Sequence, residues 1–494
     1  MLLIFFIYGM VAMVNYNDKI KVIVFGVGNY FRKREKDILQ QNDFEIIAFA
    51  DNNENLWKER IYNIPILSPD TILKINYDFI IIMSIYTSEI VKQLLEMGIE
   101  KEKIIFGDKF LAERKSGQIK IYSIDKKGMT VTRKVLIIST FLNYNGGSLA
   151  AVYAASALED RKMQVVLMSP GGDKKFIDEI VQSGITVAIC PVLPYLFEKE
   201  LNWIEQFDLV IVNVLSMILC ASVLSLRKPV VWWIHESADV YTIIFEKFKE
   251  YSSIDSLKGI KIYAVSKIPQ NIFNEFFQRR VDGILNYGIP DMNHLTVALK
   301  KNKLVFAIIG TVSEIKGHDV FFEAIEKIGK IDNVEFWVIG AIKEDTFVKK
   351  VVEKLESNPL IKVWGELTRS QIYDLFPYID VVVCSSRIDS LPIAITEGMM
   401  YGKVCITTYG TGIADYICNE KNGFIVSAED ADALREKIEW IIVNKDKLKE
   451  IGINARKTYE KYFNMEVFGR NLENILMETE VWWNKKFVKD NKEN

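Results

Sequence analysis

Strand-like apolar runs alternate with helical patterns along almost the whole chain, and this restricts the fold to parallel sheets wrapped by helices. A first block covers 19–110, with strands expected at 21–25, 44–49, 77–83 and 103–106. The stretch 111–133 is polar and charged, contains Gly117 and Gly128, and reads as a linker. A second sheet is expected from strands at 134–140, 164–169, 185–190, 207–213, 229–235 and 261–266. A third is expected from 304–310, 334–340, 361–364, 379–384 and 404–408, the chain crossing between them near 300–303. The expected fold class is therefore α/β. Two facing Rossmann-like lobes, 134–298 and 299–464, follow a small additional Rossmann-like domain. A helix in the final segment, 465–494, returns across the cleft to the earlier lobe. Ligands of such sheets bind where the strands end, at their carboxyl edges.

The size agrees, since 494 residues exceed what one core sustains and suggest about three domains. With 49% hydrophobic and 26% charged residues the chain is of the globular class. A net charge of -3 provides no basic field, so nucleic acid is not an expected partner. Five cysteines form no C-x-x-C pair and no metal-ligand spacing; they read as buried reduced thiols in a cytoplasmic protein, and no metal site is expected. Residues 1–14 are almost wholly apolar but too few to cross a bilayer as a helix. They lack the basic flank and cleavage site of a signal peptide; 1–18 are expected to be an N-terminal extension, with the true start at Met13 and a weak membrane anchor as the alternative.

The segment 384–402 carries the most chemistry. A buried strand ends at Cys384, a polar turn follows, and Pro392 stands where a helix begins. Asp389 lies in the turn and Glu397 along the helix. The unsatisfied N–H groups and dipole of that helix start favour a diphosphate, and the two acids are suited to accept hydrogen bonds from sugar hydroxyls. Taken alone, the acids read first as a helix cap and a surface carboxylate. Upstream, 310–319 runs from strand to loop to helix: Gly310 permits close approach, and Lys316 is placed to neutralise a departing diphosphate. In the second sheet, Gly146 and Gly147 follow the first strand and open a helix, again presenting backbone N–H groups. Of His235, His294 and His318, only His235 ends a strand facing the expected cleft.

Together these motifs resemble the family 4 (group 1) retaining glycosyltransferases of GT-B fold, over about 134–483. That family carries an acid, seven residues and a glutamate, with Leu-Pro between them and a glycine after the helix. The resemblance assigns Asp389 to the donor sugar, Glu397 to the ribose hydroxyls, and the N–H groups around Ser390 and Leu391 to the diphosphate. Lys316-Gly317 matches the family's Lys-Gly, with Gly310 and Thr311 before it. It places the turn of Gly410 and Gly412 beneath the donor sugar, Gly146 and Gly147 near the sugar and diphosphate, and His235 near the sugar. Glu236 is a candidate acceptor contact, 286–289 a hinge, and 422–424 the turn before a closing strand. Two departures bear on donor choice or rate. Aspartate stands where the family usually has glutamate, and Thr311 stands where arginine is common.

The implied activity is a retaining, metal-independent transfer from a nucleotide-sugar donor, a UDP-sugar first among the candidates. The acceptor is a hydroxyl of a carbohydrate, lipid-linked or protein-linked molecule in surface polysaccharide or glycoconjugate synthesis. The alternatives are a catalytically silent scaffold of a glycosyltransferase complex and, behind it, an epimerase or phosphorylase of the same fold. The leading block begins like a dinucleotide fingerprint, 25–30, but has Phe31 where a third glycine is expected; Asp51 ends its second strand. It reads as a nucleotide-binding or a docking domain. Trp482, Trp483, Lys485, Lys486 and Phe487 form an aromatic-basic cluster suited to peripheral contact with the inner face of a membrane and equally to packing the terminal helix against the first lobe.

Overall fold

Runs rich in β-branched and other apolar residues build most of the strands, and a computed structural model shows how they are arranged. It describes residues 4–7, 10–13, 20–40, 44–84, 86–107, 110–111, 119–124, 132–191, 193, 201–242, 244–245, 254–293, 303–329, 331–342 and 346–488. Most of the expected linker, the crossing at 300–302 and His294 lie outside them. The chain divides into two units. One comprises Met1–Lys120 with Cys190–Tyr195 and Phe245–Tyr251; the other holds the remainder.

In the first unit, Ile4–Ile7 pairs antiparallel with Met10–Met13 within the expected extension. A six-stranded sheet follows, in the order Arg60–Ile61, Ile64–Leu67, Phe44–Ala50, Ile20–Phe25, Phe79–Ile82, Ile104–Phe106. Only the Arg60–Ile61 and Ile64–Leu67 pair is antiparallel. Apolar clusters cover both faces, one around Phe31 and Phe49, the other around Ile80 and Leu94. The fingerprint-like loop is braced from within, because the Asp51 carboxylate accepts the Val27 and Asn53 N–H groups at 2.9 Å each. The helix after that loop is only Asn29–Arg32, and Phe31 is fully buried in it.

The second unit contains two doubly wound sheets. The first has the order Gly283–Ile284, Ile260–Ala264, Val230–Ile234, Leu209–Asn213, Arg133–Ile138, Met163–Ser169, Thr186–Ile189, with Lys120–Tyr122 at its edge. Its pairings from Gly283–Ile284 through Thr186–Ile189 are all parallel. The other has the order Ile361–Gly365, Val334–Ile339, Leu304–Ile309, Val381–Val383, Val404–Thr408, Phe424–Val426, parallel throughout. In both, the strand order reverses beside the first strand, which opens a crevice at the carboxyl ends. This is the GT-B fold.

The two lobes share one apolar core that runs from Val135 and Trp233 to Ile395 and Tyr459. The Met465–Trp483 helix lies on the earlier lobe. Phe468 stacks on Trp233 at 5.6 Å, and Arg161 pairs with Glu466 and Glu473 at 3.0 and 3.2 Å. The aromatic-basic cluster packs there too. Trp483 donates to the Ser225 carbonyl at 3.1 Å, Lys486 to the Lys258 carbonyl at 2.9 Å, and Lys261 lies 4.8 Å over Trp482. Among the described residues no helix is long and apolar enough to cross a membrane.

Candidate functional site

The Ile393–Met400 helix anchors the site. Its starting residues, Ile393 to Ile395 and beyond, are almost all apolar or small, so it buries itself between strands and its own lobe interface. Gly398 makes this possible, because a Cβ there would come within 2.8 Å of Val382 and 2.9 Å of Cys405. Burial of the helix carries Glu397 inward with it; the residue is 0% exposed. Pro392 is the N-cap and no side chain caps the helix. Asp389 is thus not a cap, and Glu397 is not a surface acid.

The turn before the helix is held from below. Asp389 N–H donates to the Gly410 carbonyl at 3.0 Å, and Gly412 N–H to the Asp389 carbonyl at 2.9 Å. A Cβ at Gly412 would fall 1.9 Å from the Ser390 oxygen, and one at Gly410 2.0 Å from the Arg387 oxygen. These glycines admit the close approach of two backbones; neither lines the cavities described below. Across the lobe boundary, the Tyr287 hydroxyl donates to the Leu391 carbonyl at 2.7 Å, and the Ser266 hydroxyl donates to the Ser390 carbonyl.

Two adjoining cavities open along this turn. The larger, about 550 Å³, is bordered by Gly310, Thr311, Arg369 and Glu397. The smaller, about 340 Å³, is bordered by Gly147, His235, Glu236 and Ser390. Gly146, Lys316, Asp389, Leu391 and Ile393 border both. At this shared rim Lys316 and Asp389 form an ion pair. Burial works against the charged ammonium, but Asp389 beside it prevails and holds Lys316 above its ordinary pKa. The second acid is paired as well, Glu397 with Arg369. Each acid of the 384–402 segment therefore has a cation from another element.

The earlier lobe contributes the opposite wall. Asn145 caps the Gly146–Glu159 helix by accepting the Ser148 N–H at 2.8 Å, and Asn213 holds the Gly147 carbonyl at 2.9 Å. Val214 next to it has φ of 76°, a costly conformation for a β-branched residue. That backbone places the Leu215 N–H 2.7 Å from Glu236 Oε1, while the His235 N–H donates to Oε2 at 2.9 Å. Burial raises Glu236 to about 7 and lowers His235 to about 3, so the imidazole is neutral at physiological pH.

Two residues not singled out from the sequence, Arg369 and Arg387, and one set aside there, His318, also bear on the site. Arg369 stands one turn beyond the Ile361–Gly365 strand, at a carboxyl edge where ligands gather, and that position was the available signal. His318, at the start of its helix, borders the larger cavity; burial lowers it to about 4. Arg387 grips both Asp319 oxygens at 2.9 and 2.8 Å and Glu429 at 2.7 Å, which locks the 310–319 loop to the acid-bearing turn. Asp319 is held below its usual range by that arginine despite its burial.

Fold and site define a two-lobed GT-B architecture with a cavity-lined seam, and residues 293–458 match the family profile Glycosyl transferases group 1. Residues 18–105 match another, C2185-like, N-terminal. Among curated relatives, the capsular polysaccharide biosynthesis glycosyltransferase CapM of Staphylococcus aureus is 26% identical over 179 residues, 36% of this chain and 47% of that protein. The UDP-Gal:alpha-D-GlcNAc-diphosphoundecaprenol alpha-1,3-galactosyltransferase of Escherichia coli is 26% identical over 208 residues, 41% of this chain and 51% of its own. The chain spans about half the length of the curated relatives it matches. Among solved structures, Anabaena HepE in complex with UDP and glucose superposes with a TM-score of 0.58 at 18% identity, covering 70% of this chain and all of that one. At that identity the likeness speaks for the fold.

Proposed function

We propose that the chain is a retaining, metal-independent glycosyltransferase that moves a sugar from a nucleoside diphosphate donor, a UDP-sugar in the first place, to a hydroxyl of a carbohydrate or lipid-linked acceptor in surface polysaccharide synthesis. The observation that carries this reading is the Lys316–Asp389 pair at the rim common to both cavities, directly before the Ile393–Met400 helix. A diphosphate seated there meets the Lys316 ammonium and the N–H groups of Ser390 and Leu391. The nucleoside then extends toward Glu397 in the larger cavity and the sugar toward His235 in the smaller.

In the reaction the bond between the anomeric carbon and the phosphate oxygen breaks as the acceptor oxygen bonds to that carbon from the same face. The acceptor proton passes to the departing phosphate. Charge grows on the diphosphate, where Lys316 and the helix start are already oriented to receive it; such preorganised groups are worth roughly a hundredfold or more in rate each. Asp389, released from Lys316, accepts from the sugar hydroxyls. Neutral His235 is a hydrogen-bonding wall of the sugar pocket. Support for the substrate class comes from the relatives whose names specify a capsular polysaccharide and a diphosphoundecaprenol acceptor.

The test is release of nucleoside diphosphate from UDP-, GDP- and ADP-sugars with EDTA present, for wild type, Lys316→Ala and Glu397→Ala. The expected result is release from one donor, reduced at least a hundredfold in Lys316→Ala and strongly in Glu397→Ala. Release that survives both substitutions, or that requires a divalent cation, contradicts the proposal. A second reading, a silent scaffold, draws on Thr311 at the position where a phosphate-binding cation is otherwise expected. Absence of any nucleotide binding would favour it.

A further inference from the structure

The donor reading leaves Arg369 without a role, although it borders the larger cavity and is the partner of Glu397. It opens the Arg369–Leu375 helix, whose first turn is fixed by a reciprocal cap: Thr368 accepts the Gln371 N–H, and the Gln371 side chain accepts the Thr368 N–H at 2.9 Å. The guanidinium therefore enters the cavity from a rigid base. It meets three groups. The first is the Glu397 carboxylate, whose side chain is 1% exposed. The second is the Tyr373 hydroxyl at 2.9 Å, with the Tyr373 ring 5.0 Å away. The third is Tyr153, on the Gly146–Glu159 helix of the other lobe. Burial and Tyr373 push the Tyr153 phenol up to about 12 against the pull of Arg369.

A carboxylate so deeply buried carries a large desolvation cost unless a cation balances it. An arginine suits this place because its guanidinium stays charged while Nη2 meets Glu397 Oε1 and donates to Tyr373, leaving Glu397 Oε2 without a hydrogen-bond partner among the described residues. We propose that Arg369 is the positioning residue for the donor's ribose. It keeps Glu397 ionised and in one orientation within the larger cavity, so that the adjacent 2′- and 3′-hydroxyls of a nucleoside diphosphate are what the site recognises. The inference rests on the donor reading above.

The test uses the full chain. Calorimetric titration with UDP, GDP and ADP identifies the nucleotide that binds, and the 2′,3′-dideoxy form of that nucleotide is then compared with it. Wild type is expected to prefer the ribonucleotide at least tenfold. Arg369→Ala is expected to lose most of that preference, and Arg369→Lys to retain part of it; Arg369→Gln replaces the alanine variant if the latter does not fold. A role confined to folding would weaken both nucleotides equally and leave their ratio intact, and this outcome overturns the inference, as does a wild-type ratio in Arg369→Ala. If none of the three nucleotides binds folded wild type, the donor reading itself falls and the inference with it.

Discussion

Buried ionisable side chains set the behaviour of the site with pH. His235 and His318 are lowered by burial to about 3 and about 4, so the folded chain binds protons at these positions less readily than the unfolded chain does. Their contribution is present above the unfolded value near 6.5 and is lost as pH falls toward the folded values, at about 1.4 kcal/mol per histidine per pH unit. Glu236 has the opposite sign. Burial raises it to about 7, so its contribution is present below its unfolded value and is lost as pH rises through 7. Between pH 7.5 and pH 5.5 Glu236 offsets most of what the histidines lose in the wild type, so urea midpoints should fall clearly only with Glu236→Gln as the background. His318→Gln and His235→Gln should each narrow that fall by the equivalent of about 1 kcal/mol, and Glu236→Gln should stabilise most at pH 8. Equal pH dependence in wild type and both histidine variants would contradict the assignment.

At the scale of elements, the site depends on the meeting of two loops, and Arg387 joins them through Asp319 and Glu429. Truncation leaves a partly buried carboxylate without its fork. Arg387→Ala should cost about 1–3 kcal/mol in stability and weaken nucleotide binding several-fold, measured by denaturant titration and calorimetry. Unchanged binding with lowered stability would mean that the clamp serves the fold alone. The elements themselves were largely legible. Runs such as 304–310 and 404–408 are strands within a residue or two, because they are short, apolar and rich in β-branched residues and have turn residues close by. The acid pair and Lys316 were legible from one motif each. Their partners were not. Arg369 is 28 positions from Glu397, and the two meet only because of the sheet order, which no local pattern encodes. Arg387 and His318 lay inside quoted motifs yet reveal their contacts only in three dimensions.

At the scale of the molecule, the later lobe closes against the earlier lobe through the Tyr287–Leu391, Ser266–Ser390 and Lys267–Asp415 contacts, and the two cavities lie along that seam. A nucleotide lodged there binds only the folded lobes, so at a hundred times its Kd it should stabilise them by about 2.7 kcal/mol. The leading domain has a fingerprint-like loop of its own, but its Asp51 carboxylate is already engaged by backbone N–H groups. The seat of the nucleotide separates the two loops, and a crystal structure with the nucleoside diphosphate that binds locates it most directly. The diphosphate is predicted at Ser390 and Leu391 beside Lys316, with the ribose hydroxyls on Glu397 and the Lys316–Asp389 pair opened. A nucleotide found instead on the loop at Gly26 and Gly28, with the Ile393–Met400 helix start empty, would contradict the account.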